Sequence, residues 1–349
     1  MSVPMLDLVA QHQTIKDAVL ARVGSVIDRQ QFILGPEVAE LAREIAALSH
    51  ATHAIACASG TDALLLPLRA LDLEAGDEVI APAFTFFATA GAIHNAGGTP
   101  GFVDIDPGTF NADPAAIEAA ITPRTRAIVV VHLYGQMAPI ETIVQLAARR
   151  GIAVIEDAAQ AIGARRRIDG SWRMAGDGGM MVTQDDALAT RLRKLRVHGG
   201  AKQYHHEEVG YNSRLDTLQA AVLLAKMPHL ADWSAARRDR AAFYDAAFAG
   251  HAAIRTPVVD AANEPIFHQY TLRVERRDAL REHLQAKQIG SMIYYPTALH
   301  LQPCFAHLPA VSLPETERAM AEVISLPIYP ELTSAQQDEV VTAVREFNG

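Results

Sequence analysis

Cysteine is almost missing from this chain: among 349 residues only Cys57 and Cys304 occur. Two cysteines cannot build a disulfide framework, and neither stands in a metal-ligand spacing, so a stapled secreted scaffold and a zinc ribbon are excluded and a reduced, cytoplasmic compartment is expected. Fourteen histidines give no HExxH, and His205 and His206 are adjacent rather than four apart, which argues against a catalytic zinc. No window approaches the roughly eighteen uninterrupted apolar residues of a membrane span. The opening MSVPMLDLVAQHQ lacks a basic region followed by an apolar core, so no signal peptide is expected. Long basic runs are lacking too. RRR at Arg165 to Arg167 and RVERR around Arg276 are short and read as solvated faces, and a net charge of -9 argues against a nucleic-acid surface. G-x-G-x-x-G does not follow the first strand, which leaves a dinucleotide-dependent oxidoreductase poorly supported.

What the chain does have is a large apolar fraction, 50%, enough for one large or two ordinary domains. Helical spacing covers residues 12–30 and EVAELAREIAALS, with Gly35-Pro36 as punctuation between them. HAIACAS then reads as a short buried strand that delivers Ser59, Gly60, Thr61 and Asp62 to an apolar helix. Such a turn offers free backbone N–H groups to a phosphate, or is an ordinary cap made by Thr61 or Asp62. Strands at Glu78 to Ala81, in TPGFVDIDP and in RAIVVVHLYGQ alternate with helices AAIEAAI and IETIVQLAARR. This alternation predicts an α/β fold with a mostly parallel sheet covered on both faces, its chemistry on the loops after the strands. VIEDAAQAIG, Val154 to Gly163, joins a buried apolar strand to two acids, a glutamine and a helix start. GMMVT is one more strand. In SRLDTLQAAVLLAKMPHL, Leu215, Leu218, Val222 and Leu223 mark the buried stripe. The helical stretch Leu230 to Ala249 reads as the hinge from a large domain, residues 1–232, into a smaller α+β one, residues 233–349. There QYTLRVERRDALREHLQAKQIGSMIYYP predicts strand, helix and strand.

SGTDALLL at Ser59 to Leu66, VIEDAAQAIG, YNSRLDTLQAA at Tyr211 to Ala221 and YYPTALHLQP at Tyr294 to Pro303 together resemble the DegT/StrS family of nucleotide-sugar aminotransferases. The resemblance implies a fold type I transferase, a homodimer, and pyridoxal 5'-phosphate or its pyridoxamine form as cofactor. It implies that an amino group passes, from a donor such as glutamate, to a keto sugar on a nucleotide diphosphate. It assigns Asp157 to the pyridine nitrogen, whose protonated state makes the cofactor an electron sink. Gly60 and Thr61 would cradle the phosphate, Phe86 would stack on the ring unless it is core like Phe87, and Gln160 would lie near the phenolic oxygen. Asn212 would reach the phosphate of the neighbouring subunit. Arg214 is a diphosphate or carboxylate ligand or an exposed helix-start arginine. Tyr295 and His300 line the nucleotide-sugar entrance or pack the small domain on the large one. Glu156, next to Asp157, should point to the opposite face and be structural.

The resemblance has one hole. Between VIEDAAQ and GDGG the family carries a strand and loop of the kind FSFFPTKNLG, whose lysine binds the cofactor. This chain reads GARRRIDGSWRMAGDGGMMVT there. Its five lysines are Lys16, Lys194, Lys202, Lys226 and Lys287, and none aligns with the lost position. That lysine supplies both the covalent link and the acid/base group, so a chain without it should transaminate poorly. A non-catalytic homologue that binds a nucleotide sugar or the pyridoxamine form is the alternative. Loss of an inner strand also leaves two rows of backbone groups without partners. Intact flanks imply that a segment was lost from the parent sequence; a continuous trace from Trp172 to Gly179 with a repaired sheet would speak against this.

Overall fold

The computed structural model describes residues 2–174, 179–202 and 204–347, Trp172 by its backbone only. Capping residues and prolines mark where its helices begin. Two N-terminal helices, α1 (Leu8–Arg29) and α2 (Pro36–Leu48), precede β1 (His53–Ala56) and α3 (Gly60–Arg69). Then follow β2 (Glu78–Pro82), α4 (Ala88–Asn95), β3 (Thr99–Val103), α5 (Pro114–Ala120), β4 (Thr125–Val131), α6 (Ile140–Ala148) and β5 (Ala153–Asp157). After β6 (Arg165–Ile168), β7 (Ser171–Met174) and β8 (Met180–Thr183) come α7 (Asp186–Leu195), α8 (Thr217–Lys226) and α9 (Leu230–Phe248). The chain closes with β9 (Asn263–Glu264), β10 (Tyr270–Arg273), α10 (Arg277–Ala286), α11 (Pro314–Glu322), β11 (Val323–Leu326) and α12 (Ser334–Glu346). Asp7, Ser59, Asp113, Asp185, Asp216 and Thr333 cap α1, α3, α5, α7, α8 and α12 by accepting backbone N–H groups.

The central sheet runs β3-β2-β4-β5, all parallel. Its two middle strands send alternate side chains to opposite faces. Val79, Ala81, Ala127 and Val129 pack with Leu64 and Leu68 of α3 and Ile93 of α4. Ile80, Ile128 and Val130 pack with Ile143 and Leu146 of α6 on the other face. Both faces are covered, as the βα alternation requires. A separate antiparallel pair, β10 with β11, is buried by α9, α10 and α12, and Val3 from the N-terminus joins that core.

Four expectations need correction. VIEDAAQAIG is not a buried strand running into a helix: Val154 and Ile155 are half-buried, and turns lead from Asp157 to β6. Arg165 to Arg167 are not wholly a solvated face: they form β6, and although Arg167 is exposed, Arg166 is buried against Glu141 and Asp260. In α8 the inward residues are Ala220, Ala221, Leu224 and Ala225, whereas Leu223 is exposed and Leu218 and Val222 are half-exposed. Close packing against α1 and α2 selects the small alanines, which a search for large apolar residues passes over. The segment after α10 is not a strand; it makes only isolated bridges, Ile289 with Val3 and Met292 with Ser325.

Among the described residues β5 pairs with β4 alone and β8 with β1 alone. The stretch Trp172 to Gly179 includes residues 175–178, which lie outside the described residues.

Candidate active site

The parallel strands end together, and the site forms where β2, β4 and β5 stop. Asp157, the last residue of β5, is buried, and its carboxylate is held on two sides. Oδ2 accepts the Thr89 hydroxyl at 3.0 Å and Oδ1 accepts the Ala159 N–H at 3.3 Å. Burial pushes its carboxyl above the usual aspartate range, and these two bonds together with the nearby His132 offset part of that rise. The His132 ring is wholly buried: Nδ1 accepts the Ala138 N–H at 3.1 Å, so Nε2 carries the proton and donates to Glu156 at 2.8 Å. Glu156, expected to be structural, makes this contact with a side chain that is 43% exposed.

Gln160 is fixed at both ends of its amide. Oε1 accepts the Tyr134 N–H at 2.8 Å, and Nε2 donates to the Tyr295 hydroxyl at 2.9 Å. Burial pushes the Tyr295 phenol up to about 12. The Phe86 ring, 58% exposed, lies 6.3 Å from the Tyr295 ring at 44°. It is thus a surface-facing aromatic at the mouth of the site and not part of the core; Phe87 is exposed as well. Gly60 lines the same cavity as Asp157. The cap of α3 is Ser59, not Thr61 or Asp62: its Oγ accepts the Asp62 N–H at 3.1 Å. The N–H groups of Gly60 and Thr61 are left without a protein acceptor among the described residues.

Three expected residues lie apart from this group. Asn212 is exposed and bridges to Val197 through its backbone. Arg214 lines a different cavity, of about 790 Å³, with Leu34, Lys202 and Tyr204. The His300 side chain is 3% exposed, and its Nε2 lies 3.4 Å from Glu317. Its neighbour Leu299 donates its N–H to Ala83 O at 2.8 Å, so this segment packs on the loop after β2. Thr89, Tyr134 and Ser213 were not legible beforehand. Ser213 joins the site's floor by donating to Asp62 Oδ2 at 2.7 Å, and its only signal was its place beside Asn212.

The DegT/DnrJ/EryC1/StrS aminotransferase family model matches residues 13–168 and 173–345. The chain belongs to this family. A pleiotropic regulatory protein of Geobacillus stearothermophilus is 47% identical, covering 99% of both chains. A UDP-N-acetyl-3-dehydro-alpha-D-glucosamine 3-aminotransferase of Acidithiobacillus ferrooxidans is 44% identical over 99% of this chain and 97% of its own. S. venezuelae DesV, solved in complex with a ketimine intermediate, shares the fold with a TM-score of 0.95 at 41% identity, covering 99% of this chain and 98% of DesV. The family match breaks at 169–172. Alignment with the Geobacillus relative runs over 368 positions against 349 residues here, so at least 19 of those positions face no residue of this chain.

Membership implies pyridoxal phosphate, and the residues present fit it in part. A buried carboxylate at a strand end suits a protonated pyridine nitrogen, and two free N–H groups at the start of α3 suit a phosphate. Among the described residues no lysine amine accompanies them. Lys194 and Lys287 pair with Glu207 and Glu346, Lys16 is exposed on α1, Lys226 ends α8, and Lys202 lines the other cavity. The site suits a cofactor held without a covalent link.

Proposed function

We propose that this chain is built for amino-group transfer, from a donor such as glutamate to a keto sugar on a nucleotide diphosphate, and that it is impaired in that reaction. When bound, the cofactor supplies an electron sink through its protonated ring nitrogen. Asp157 is the group that keeps that nitrogen charged, and its buried, doubly bonded carboxylate is the observation that carries the reading. Gly60 and Thr61 take the phosphate, Phe86 covers the ring, and Gln160, oriented by Tyr134 and Tyr295, addresses the phenolic oxygen. Arg214, which lines the neighbouring cavity, is the candidate ligand for the sugar diphosphate in this reading, whereas the buried His300 side chain against Glu317 supports a packing role. The relatives' names support a nucleotide-linked amino sugar as product.

Asn212, with the exposed Leu20, Ile27, Ile33 and Leu223, supports a homodimer in which each subunit completes its partner's site. The scarcity of cysteine, with only Cys57 and Cys304 in the chain, supports a reduced cytoplasmic setting. Without an amine in reach, proton transfer at the substrate carbon has no base of the usual kind. Titration with pyridoxamine 5'-phosphate, followed by ligand absorbance, tests the reading. Saturable binding at one per chain, weakened at least about tenfold by Asp157→Asn, is expected from loss of a charge-assisted hydrogen bond. Equal affinity in both proteins would remove Asp157 from the site.

A further inference from the structure

Three guanidinium groups meet at the start of β1 with no carboxylate between them. A cavity of about 350 Å³ lies where α2, the first residues of β1 and the end of α7 come together. Arg43 of α2, Arg193 of α7 and Arg196, the cap of α7, line it together with His53, and no aspartate or glutamate does. The opposite wall is apolar, built from Val38, Ala42 and Ala46 on one side of α2. In a chain of net charge -9, three cations around one hollow are not a by-product of composition.

None of the three has an acid as partner. Arg43 is exposed and makes no hydrogen bond or ion pair among the described residues. Arg193 donates to His53 Nδ1 at 3.3 Å, so Nε2 of that ring carries the proton and donates to Asp186 at 2.6 Å; the ring is neutral and Asp186 is engaged on its far side. Arg196 donates from Nη1 to Ala56 O at 2.6 Å, and its Nε is buried without an acceptor. Burial and then Arg193 hold the Arg196 guanidinium below the usual arginine range, which shows that the two cations feel each other.

The structural alternative is that Arg193 and Arg196 serve the negative end of α7. That end is equivalent to about half a charge, so three arginines still leave an excess of about two and a half. Its carbonyls are also occupied: Leu192 O accepts the Arg196 N–H, and Lys194 O accepts those of Val197 and Gly199. A monocarboxylate would leave more than one cation unanswered. A phosphate group carries up to about two negative charges at neutral pH and three acceptor oxygens, and it matches the planar donors of arginine.

We propose that this cavity binds a phosphate group, held by Arg43, Arg193 and Arg196, as free phosphate or as part of a phosphorylated small molecule whose organic part lies on the apolar wall. The site is separate from the one that contains Asp157. The four residues of β1 and the turn after it stand between the cavity and Gly60, so the proposal does not rest on the aminotransferase reading.

The test is a titration of the full chain, labelled with ¹⁵N at arginine, with inorganic phosphate, phenyl phosphate and acetate, followed through the arginine Nε–H signals. The signals of Arg43, Arg193 and Arg196 should shift along one saturable curve, and exchange of the Arg196 Nε–H with solvent should slow as it gains an acceptor. Arg43→Ala, which breaks no bond of the folded chain, should weaken phosphate binding at least about tenfold with an unchanged circular dichroism spectrum. Acetate should bind at least about tenfold more weakly than phosphate. Tighter binding of phenyl phosphate would identify an organic phosphate as the ligand, and equal binding free phosphate; both bear the proposal out. Absence of a saturable shift of the three arginine signals up to about 10 mM phosphate would overturn it, even if amides at Gly60 and Thr61 respond. Equal affinity in Arg43→Ala, or acetate bound as tightly as phosphate, would overturn it too.

Discussion

Asp157 is the carboxylate on which the proposed function rests, buried and held by two hydrogen bonds. Burial raises its pKa, and the sign of the consequences follows. In the free protein the contribution of protonated Asp157 to stability is complete below the ordinary value of 3.8 and is lost as pH rises through the higher folded value. Cofactor binding has the opposite requirement, because a protonated pyridine nitrogen needs the ionised carboxylate. The dissociation constant for pyridoxamine phosphate should therefore rise on acidification through the folded pKa of Asp157, by about tenfold per pH unit below it. Asp157→Asn should flatten that part of the profile. Tyr295→Phe removes one hydrogen bond to Gln160 and should cost about 1 kcal/mol of stability, measured by urea denaturation. Gly135 is more demanding. Its φ is +92°, and a Cβ there would lie 2.8 Å from the His268 N and 3.1 Å from the Gln160 O. Gly135→Ala should destabilise by about 2 kcal/mol or more and loosen Gln160 with it.

Among the elements, β6 shows how a surface-looking sequence becomes a joint. Arg166 donates to Glu141 at 2.7 and 2.8 Å and to Asp260 at 3.0 Å, with 5% of its own side chain exposed. It ties α6 to the segment before β9. Arg166→Ala should cost about 2 kcal/mol, less than the 3 to 5 kcal/mol of a fully buried pair because water still reaches Glu141 and Asp260. The Arg166 guanidinium holds the Glu141 carboxyl below its ordinary 4.5. That contribution is present above pH 4.5 and fades as pH falls through the lowered folded value, so acid unfolding of the wild type and Arg166→Ala should converge at low pH. The same elements show what could be read from sequence. Alternation of strands and helices gave the parallel sheet and its covered faces, because β2 and β4 carry large apolar residues on both sides. Arg166 was misread because the partners of a buried arginine, Glu141 and Asp260, lie far away in sequence. The inward face of α8 was misread because alanine carries little hydrophobic signal. Asp157 and Gln160 stood out through their motif, whereas Thr89 and Tyr134 serve the site through one hydroxyl and one backbone N–H and have no pattern of their own.

Taken whole, the molecule has the fold of its family with a buried carboxylate at the end of β5, and among the described residues no strand joins β5 to β8 and no lysine lines the cavity beside Asp157. Two exposed sheet edges in a protein of this size should also promote association. The most direct test of this account is the intact mass after incubation with pyridoxal phosphate and borohydride reduction. The expected spectrum is dominated by the unmodified chain at 37.7 kDa, in a protein that still binds pyridoxamine phosphate. A stoichiometric pyridoxyl adduct on one of the five lysines would contradict it, by showing that an amine reaches the cofactor after all.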